Sequence, residues 1–109
     1  MGILIEKSCK AYKRGDPPLS MENANQLLQQ LNDWTLSQEN QTIQRTYVFK
    51  NFYETIAFVN AAAWIAHKED HHPDMEVSYN RCVVHYHTHS VNGLSENDFI
   101  CAAKLDALL

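Results

Sequence analysis

The sequence predicts an α+β domain, a four-stranded antiparallel sheet with three helices packed on one face, in the order α-β-β-α-β-β-α. Three observations lead there. Apolar residues recur at helical spacing in three separated stretches, each opened by a residue able to cap a helix. Between them lie two pairs of short segments in which apolar and polar residues alternate around a polar turn, the pattern of hairpins. A hairpin cannot bury its apolar face alone and an amphipathic helix needs a surface to cover. A sheet with one face under the helices satisfies both.

Taken in order, residues 1–18 end in Gly15-Asp16-Pro17-Pro18, which resists helix and ladder pairing alike. They are expected to form an N-terminal arm lying on or off a domain of residues 19–109, with Lys7, Lys10, Lys13 and Arg14 as a solvated basic stretch. Ser20 can cap a helix whose Ala24, Leu27, Leu28 and Leu31 form one face, with Leu19 stapled against Ala24. Trp34 and Leu36, a turn at Glu39-Asn40-Gln41 and the run Ile43 to Phe49 read as the first hairpin. Asn51, with Glu54 three residues on, opens a long helix with Phe52, Ile56, Val59, Ala63 and Ile65-Ala66 as its stripe, ending near residue 69 because Pro73 disfavours helical geometry at His72. Met75, Val77 and Tyr79 alternate with polar residues, Asn80-Arg81 turns the chain, and Cys82 to Thr88 forms the return strand. Arg81, Val83, His85, His87 and His89 would then face away from the helices. Asn92-Gly93 breaks the strand, and Ser95-Glu96-Asn97-Asp98 reads as a capping box for a last helix with Phe99, Ala102, Leu105 and Leu109 inward.

Composition excludes several function classes. A chain of 109 residues is one domain, able to bury roughly two-thirds of its unfolded surface. A net charge of -4 opposes attraction to nucleic acid phosphates, so no direct nucleic acid binding is expected. Cys9, Cys82 and Cys101 are odd in number and contain no C-x-x-C, which points to reduced thiols and a cytoplasmic protein. The apolar run at Ile3-Leu4-Ile5 is too short for a signal or membrane segment, and Glu6 stands where an acylation signal wants Ser or Thr.

All six histidines lie between residues 67 and 89. His85-x-His87-x-His89 puts three imidazoles on one strand face, as a catalytic zinc site would use, or as a solvated polar face would carry. Side chains two apart on a strand are about 7 Å from each other, which rarely lets three converge on one ion. His71-His72-Pro73 together with His89 suits proton transfer near neutrality, since neighbouring imidazoles disfavour each other's protonation and one can act as base while another acts as acid. The same residues can equally be a structural helix terminator. Asp98, third in its helix, can cap and serve a site at once. Trp34 and Trp64 read as core or interface residues, and neither a glycine-rich phosphate loop nor a nucleophile elbow is present.

The series His67-x3-His71-His72-Pro73-x5-Tyr79-x9-His89-x8-Asp98 resembles the signature of the pterin-4a-carbinolamine dehydratases, continued by Thr88-His89 and Gly93-Leu94-Ser95. Similarity extends from Leu19 and Trp34 through Val48-Phe49-Lys50-Asn51-Phe52 and Ala57-Phe58 to the C-terminus. The resemblance implies dehydration of 4a-hydroxytetrahydropterin, released by aromatic amino acid hydroxylases, to the quinonoid dihydropterin, with neither metal nor redox cofactor. It implies His71, His72 and His89 as the catalytic set and Asp70, Thr88 and Asp98 as pterin contacts. His67 departs from the glutamate common in the family and is carried as a further substrate contact. A homodimer or homotetramer is implied, and some animal members also bind a homeodomain transcription factor, a role no residue here indicates. A non-catalytic binding module keeping the same fold is the alternative.

Overall fold

In the computed structural model, which describes residues 3–37, 39 and 41–109, the element order is the expected one. Helix α1 spans Met21–Leu28, strands β1 and β2 Thr35–Leu36 and Ile43–Val48, helix α2 Phe52–Glu69, strands β3 and β4 Asp74–Val77 and Arg81–Tyr86, and helix α3 Glu96–Asp106. Of the predicted turn Glu39-Asn40-Gln41, Asn40 lies outside the described residues, as do Met1 and Gly2. The sheet is antiparallel throughout in the order β1-β2-β4-β3. Its period-two alternation is plain: Ile43, Tyr47, Cys82, Val84 and Tyr86 are buried, while Gln44, Thr46 and Val48 are exposed on the other face.

The predicted caps are formed. Ser20 Oγ accepts from Asn23 N at 3.1 Å, and Asn51 Oδ1 accepts from Glu54 N at 2.9 Å while Glu54 Oε1 takes the Lys50 N–H at 3.0 Å. Each supplies a partner to an amide that the first helical turn leaves without one. Helix α3 is the centre of the core, with Phe99, Ile100, Cys101, Ala102 and Leu105 all buried.

Three expectations are corrected. The buried face of α2 is Thr55, Phe58 and Ala62, whereas Phe52 and Ala63 are exposed. Apolar residues surround this helix, so several stripes can be drawn through it, and its packing on α3 and β4 selects one. Leu109 is 68% exposed because α3 ends at Asp106, whose carboxylate is held from three sides by the Trp34 indole, the Arg45 guanidinium and the Tyr47 hydroxyl. Strand β4 stops at Tyr86. Thr88 instead forms an isolated bridge with Gly93, enclosing a 3-10 turn at His89–Val91 that closes on Asn92 in the left-handed region, φ 53°. This turn lifts His89 off the strand face on which His85 lies.

The arm packs along α3. Leu4 enters the core, Cys9 N donates to Glu69 Oε1 at 2.8 Å, and Lys10 exchanges two hydrogen bonds with the Asn97 side chain. Lys7 is not simply solvated, since its ammonium pairs with Glu96 at 2.8 Å. Burial pushes the Glu69 carboxyl up, yet the Cys9 N–H and the Lys104 ammonium together hold it below the usual carboxylate range. Farther along, Gly15 N donates to Ser90 O at 3.1 Å and Leu19 N to Leu94 O at 2.8 Å. A side chain at Gly93 would come within 3.0 Å of Pro18 Cβ, so glycine there permits the close approach of arm and turn.

Candidate active site

The end of α2 aims His71. Asp70 adopts the left-handed conformation, φ 52° and ψ 42°, and the His71 N–H returns to Ala66 O at 3.1 Å. This C-terminal motif satisfies the last carbonyls of α2 and swings the chain inward, where Pro73 prevents the helix from resuming. His71 therefore projects toward the N-terminus of α3. There its Nε2 meets Asp98 Oδ1 at 2.6 Å, and its ring lies 5.8 Å from that of Tyr86 with only 11° between the planes.

Asp98 does two jobs with its two oxygens. Oδ2 accepts the Ser95 N–H at 3.0 Å as the return half of the capping box, and also the Thr88 hydroxyl at 2.7 Å. The Ser95 hydroxyl, 2.6 Å from Thr88 Oγ1, can donate to it and so complete a chain of donors running into the carboxylate. Oδ1 is left for His71. Asp98 is 0% exposed, so every bond it makes is shielded from water. An ionised carboxylate only accepts, so in that form Asp98 pairs with the His71 tautomer that carries its proton on Nε2.

Asp70, His71, His72, His87, Thr88, His89 and Ser90 together line a cavity of about 200 Å³. His89 also borders two adjoining clefts, one of about 410 Å³ with Gln41, Thr42, His87, Asn92 and Gly93, the other of about 450 Å³ with Arg14, Gly15, Ser90 and Asn92. Residues 70–72 lead into β3 and 87–90 follow β4, and the antiparallel pairing of Asp74 with His85 brings both segments to the open end of the hairpin, so the fold brings together histidines that the sequence separates.

The remaining predicted residues lie elsewhere or behind. Asp98 is behind His71 and does not line the cavity. His67 is exposed one helical turn earlier, its ring 5.3 Å from that of Trp64, and it too is absent from the cavity wall. His85 pairs with Glu76 at 2.7 Å on the open sheet face. His87 keeps its expected exposure, with 38% of its side chain open to solvent, but also lines the cavity, 6.4 Å from His89 between ring centroids and with Nδ1 3.9 Å from Asp74. Sequence reading also passed over Ser90 and Tyr86. Only the position of the strand end at Tyr86 distinguishes His87 from His85, and alternation alone does not mark it. Among the described residues, no three His, Cys, Asp or Glu side chains converge as a metal site would need, and no helix is long and apolar enough to cross a membrane.

A model of the family described as pterin 4 alpha carbinolamine dehydratase matches residues 17–108. A relative from Nitrosomonas eutropha that bears the dehydratase's name is 57% identical over 107 residues, covering 97% of this chain and 93% of its own length. Another from Legionella pneumophila is 54% identical over 107 residues, covering 97% and 95%. Among solved structures, a transcriptional coactivator/pterin dehydratase from Brucella melitensis superposes with a TM-score of 0.80 at 36% identity, over 84% of this chain and 97% of that one. A pterin dehydratase-like protein described as a RuBisCO assembly factor in the alpha-carboxysome shares the fold, with a TM-score of 0.62 at 19% identity over 71% and 89% of the two chains.

Proposed function

Because this chain belongs to the pterin 4 alpha carbinolamine dehydratase family, we propose that it is a hydro-lyase converting 4a-hydroxytetrahydropterin to quinonoid dihydropterin by histidine acid–base catalysis. Its place would be tetrahydropterin recycling behind aromatic amino acid hydroxylation, in the cytoplasm. The observation that carries the reading is His71, fixed by the buried Asp98, opening on a cavity that His72 and His89 also line.

The reaction needs two proton transfers. An acid protonates the 4a-hydroxyl, the lone pair of the adjacent ring nitrogen expels it as water, and a base takes the proton of that ring N–H. His71, held by Asp98, is suited to a proton transfer through Nδ1, and His72 and His89 supply the complementary protonation state. Asp70 on the cavity wall would hold the pterin's polar edge, while Thr88, whose hydroxyl is already engaged by Asp98 and Ser95, would shape the wall beside it. Asp98 acts through His71 as a positioning residue, and His67, off the wall, is given no part.

Purified protein is expected to accelerate the loss of freshly generated 4a-hydroxytetrahydropterin, equally with and without a chelator. No acceleration would favour a binding module, and acceleration abolished by chelator would favour a metal site. After subtraction of the uncatalysed rate, the pH profile is expected to be a shallow bell near neutrality. His85→Ala should stay within roughly a few-fold of the parent, whereas His87→Ala should raise KM more than it lowers kcat, because His87 lines the cavity without a buried carboxylate behind it.

Self-association completes the proposal. Phe52, Tyr53 and Trp64 are exposed along α2, and β1 and β3 are edge strands with one side unpaired among the described residues. Light scattering after size exclusion should give at least twice the 12.6 kDa chain mass at micromolar concentration.

A further inference from the structure

We propose that Cys9 and Cys101 are a thiol pair that hydrogen peroxide converts to a disulfide, fastening the N-terminal arm to α3 behind His71. The two sulfurs are 3.5 Å apart although 92 positions separate them in the chain. Both are held by their surroundings. Cys9 is fixed by its N–H on Glu69 and by the paired bonds of Lys10 with Asn97, and its Sγ also lies 3.7 Å from Asn97 O, turned toward α3. Cys101 is fully buried on α3, three residues after Asp98, with its Sγ 4.0 Å from the carbonyl oxygen of His71.

Exposure sets the order of events. Cys9 is half-buried and within reach of a small oxidant, whereas Cys101 is sealed beneath it. The Cys9 contact and burial push the Cys101 thiol well above its usual range, so Cys101 keeps its proton until it reacts. The Cys9 sulfur attacks one peroxide oxygen, the O–O bond breaks, and water departs, leaving a sulfenic acid. The Cys101 sulfur then attacks the Cys9 sulfur, the S–O bond breaks, and the hydroxyl leaves as water with the Cys101 proton. Peroxide has gained two electrons and the two thiols have lost two. Reaching a bond of about 2.05 Å requires the arm and α3 side chains to close by roughly 1.5 Å. The third thiol, Cys82, is buried in β4 with no sulfur partner among the described residues, and so serves as an internal control.

The test is peroxide treatment of the whole protein, followed by intact mass, thiol titration in denaturant and peptide mapping. The mass should fall by two hydrogens, titratable thiols should drop from three to one, and the mapped bridge should join Cys9 to Cys101, reversibly with dithiothreitol. A bridge across almost the whole chain should raise Tm by roughly 10 °C. Cys9→Ser, away from the catalytic set, should abolish the mass loss and the Tm rise while leaving turnover unchanged. Oxygen added at Cys9 with Cys101 still free, a bridge involving Cys82, or a link between two molecules would each overturn the proposal.

Discussion

Replacing His71 by alanine is expected to lower turnover by about a hundredfold or more while the protein stays folded, and Asp98→Asn should approach the same loss. The reason is the division of labour on one carboxylate. Oδ1 fixes the direction of the His71 ring at 2.6 Å, and Oδ2 receives Ser95 and Thr88. An amide in place of the carboxylate offers one acceptor where two are used and removes the charge that stabilises a protonated imidazole. The double variant should be no worse than His71→Ala by more than roughly a few-fold, because both changes disable one unit. Steady-state kinetics on each variant, with circular dichroism to confirm folding, checks this. His72→Ala and His89→Ala should each cost on the order of a hundredfold unless the two share one role. If His85→Ala were instead as costly as His89→Ala, the open strand face would be the site.

Asp106→Ala should destabilise the domain by about 3 kcal/mol, read as a lower urea midpoint at unchanged m-value. A carboxylate in the last turn of a helix opposes the helix dipole, so Asp106 is tolerable only because of what surrounds it. The Trp34 indole donates at 3.0 and 3.1 Å, Arg45 Nη1 at 2.8 Å and the Tyr47 hydroxyl at 2.5 Å. Burial first, and then the Asp106 bond, push the Tyr47 hydroxyl far above its usual range, so it is a donor near neutrality. Alanine would strand three donors at the junction of β1, β2 and α3. Asparagine keeps an acceptor oxygen and should cost less, though it forfeits the charge that the Arg45 guanidinium neutralises. Both carboxylate and guanidinium are about one-fifth exposed, which places the expected loss at the lower end for an ion pair broken on one side.

The hairpins and caps were legible because they depend on neighbours in sequence. Ser20, Asn51 and Ser95 reach amides two or three residues on, and alternation along Ile43–Val48 and Arg81–Tyr86 reports the covered face directly. The inward face of α2 was not legible, since an almost uniformly apolar helix carries no preferred stripe until α3 and the sheet are in place. The site divides in the same way. His71, His72 and His89 stood out by residue type and by the resemblance, but spacing could not separate His87 from His85, because the difference lies in where β4 ends.

What the sequence determined by itself is the element order, the capping residues and the set of histidines with the chemistry to move protons near neutrality, all of them consequences of local periodicity and side-chain type. Only the tertiary structure decided that the capping carboxylate of α3 is also the anchor of His71, that the 87–90 turn closes the cavity opposite residues 70–72, and that the arm runs beside it. These depend on contacts between residues far apart in the chain, such as His71 with Asp98, Gly15 with Ser90 and Cys9 with Cys101. Such contacts are selected by burying one common core, and no single stretch of the chain encodes them.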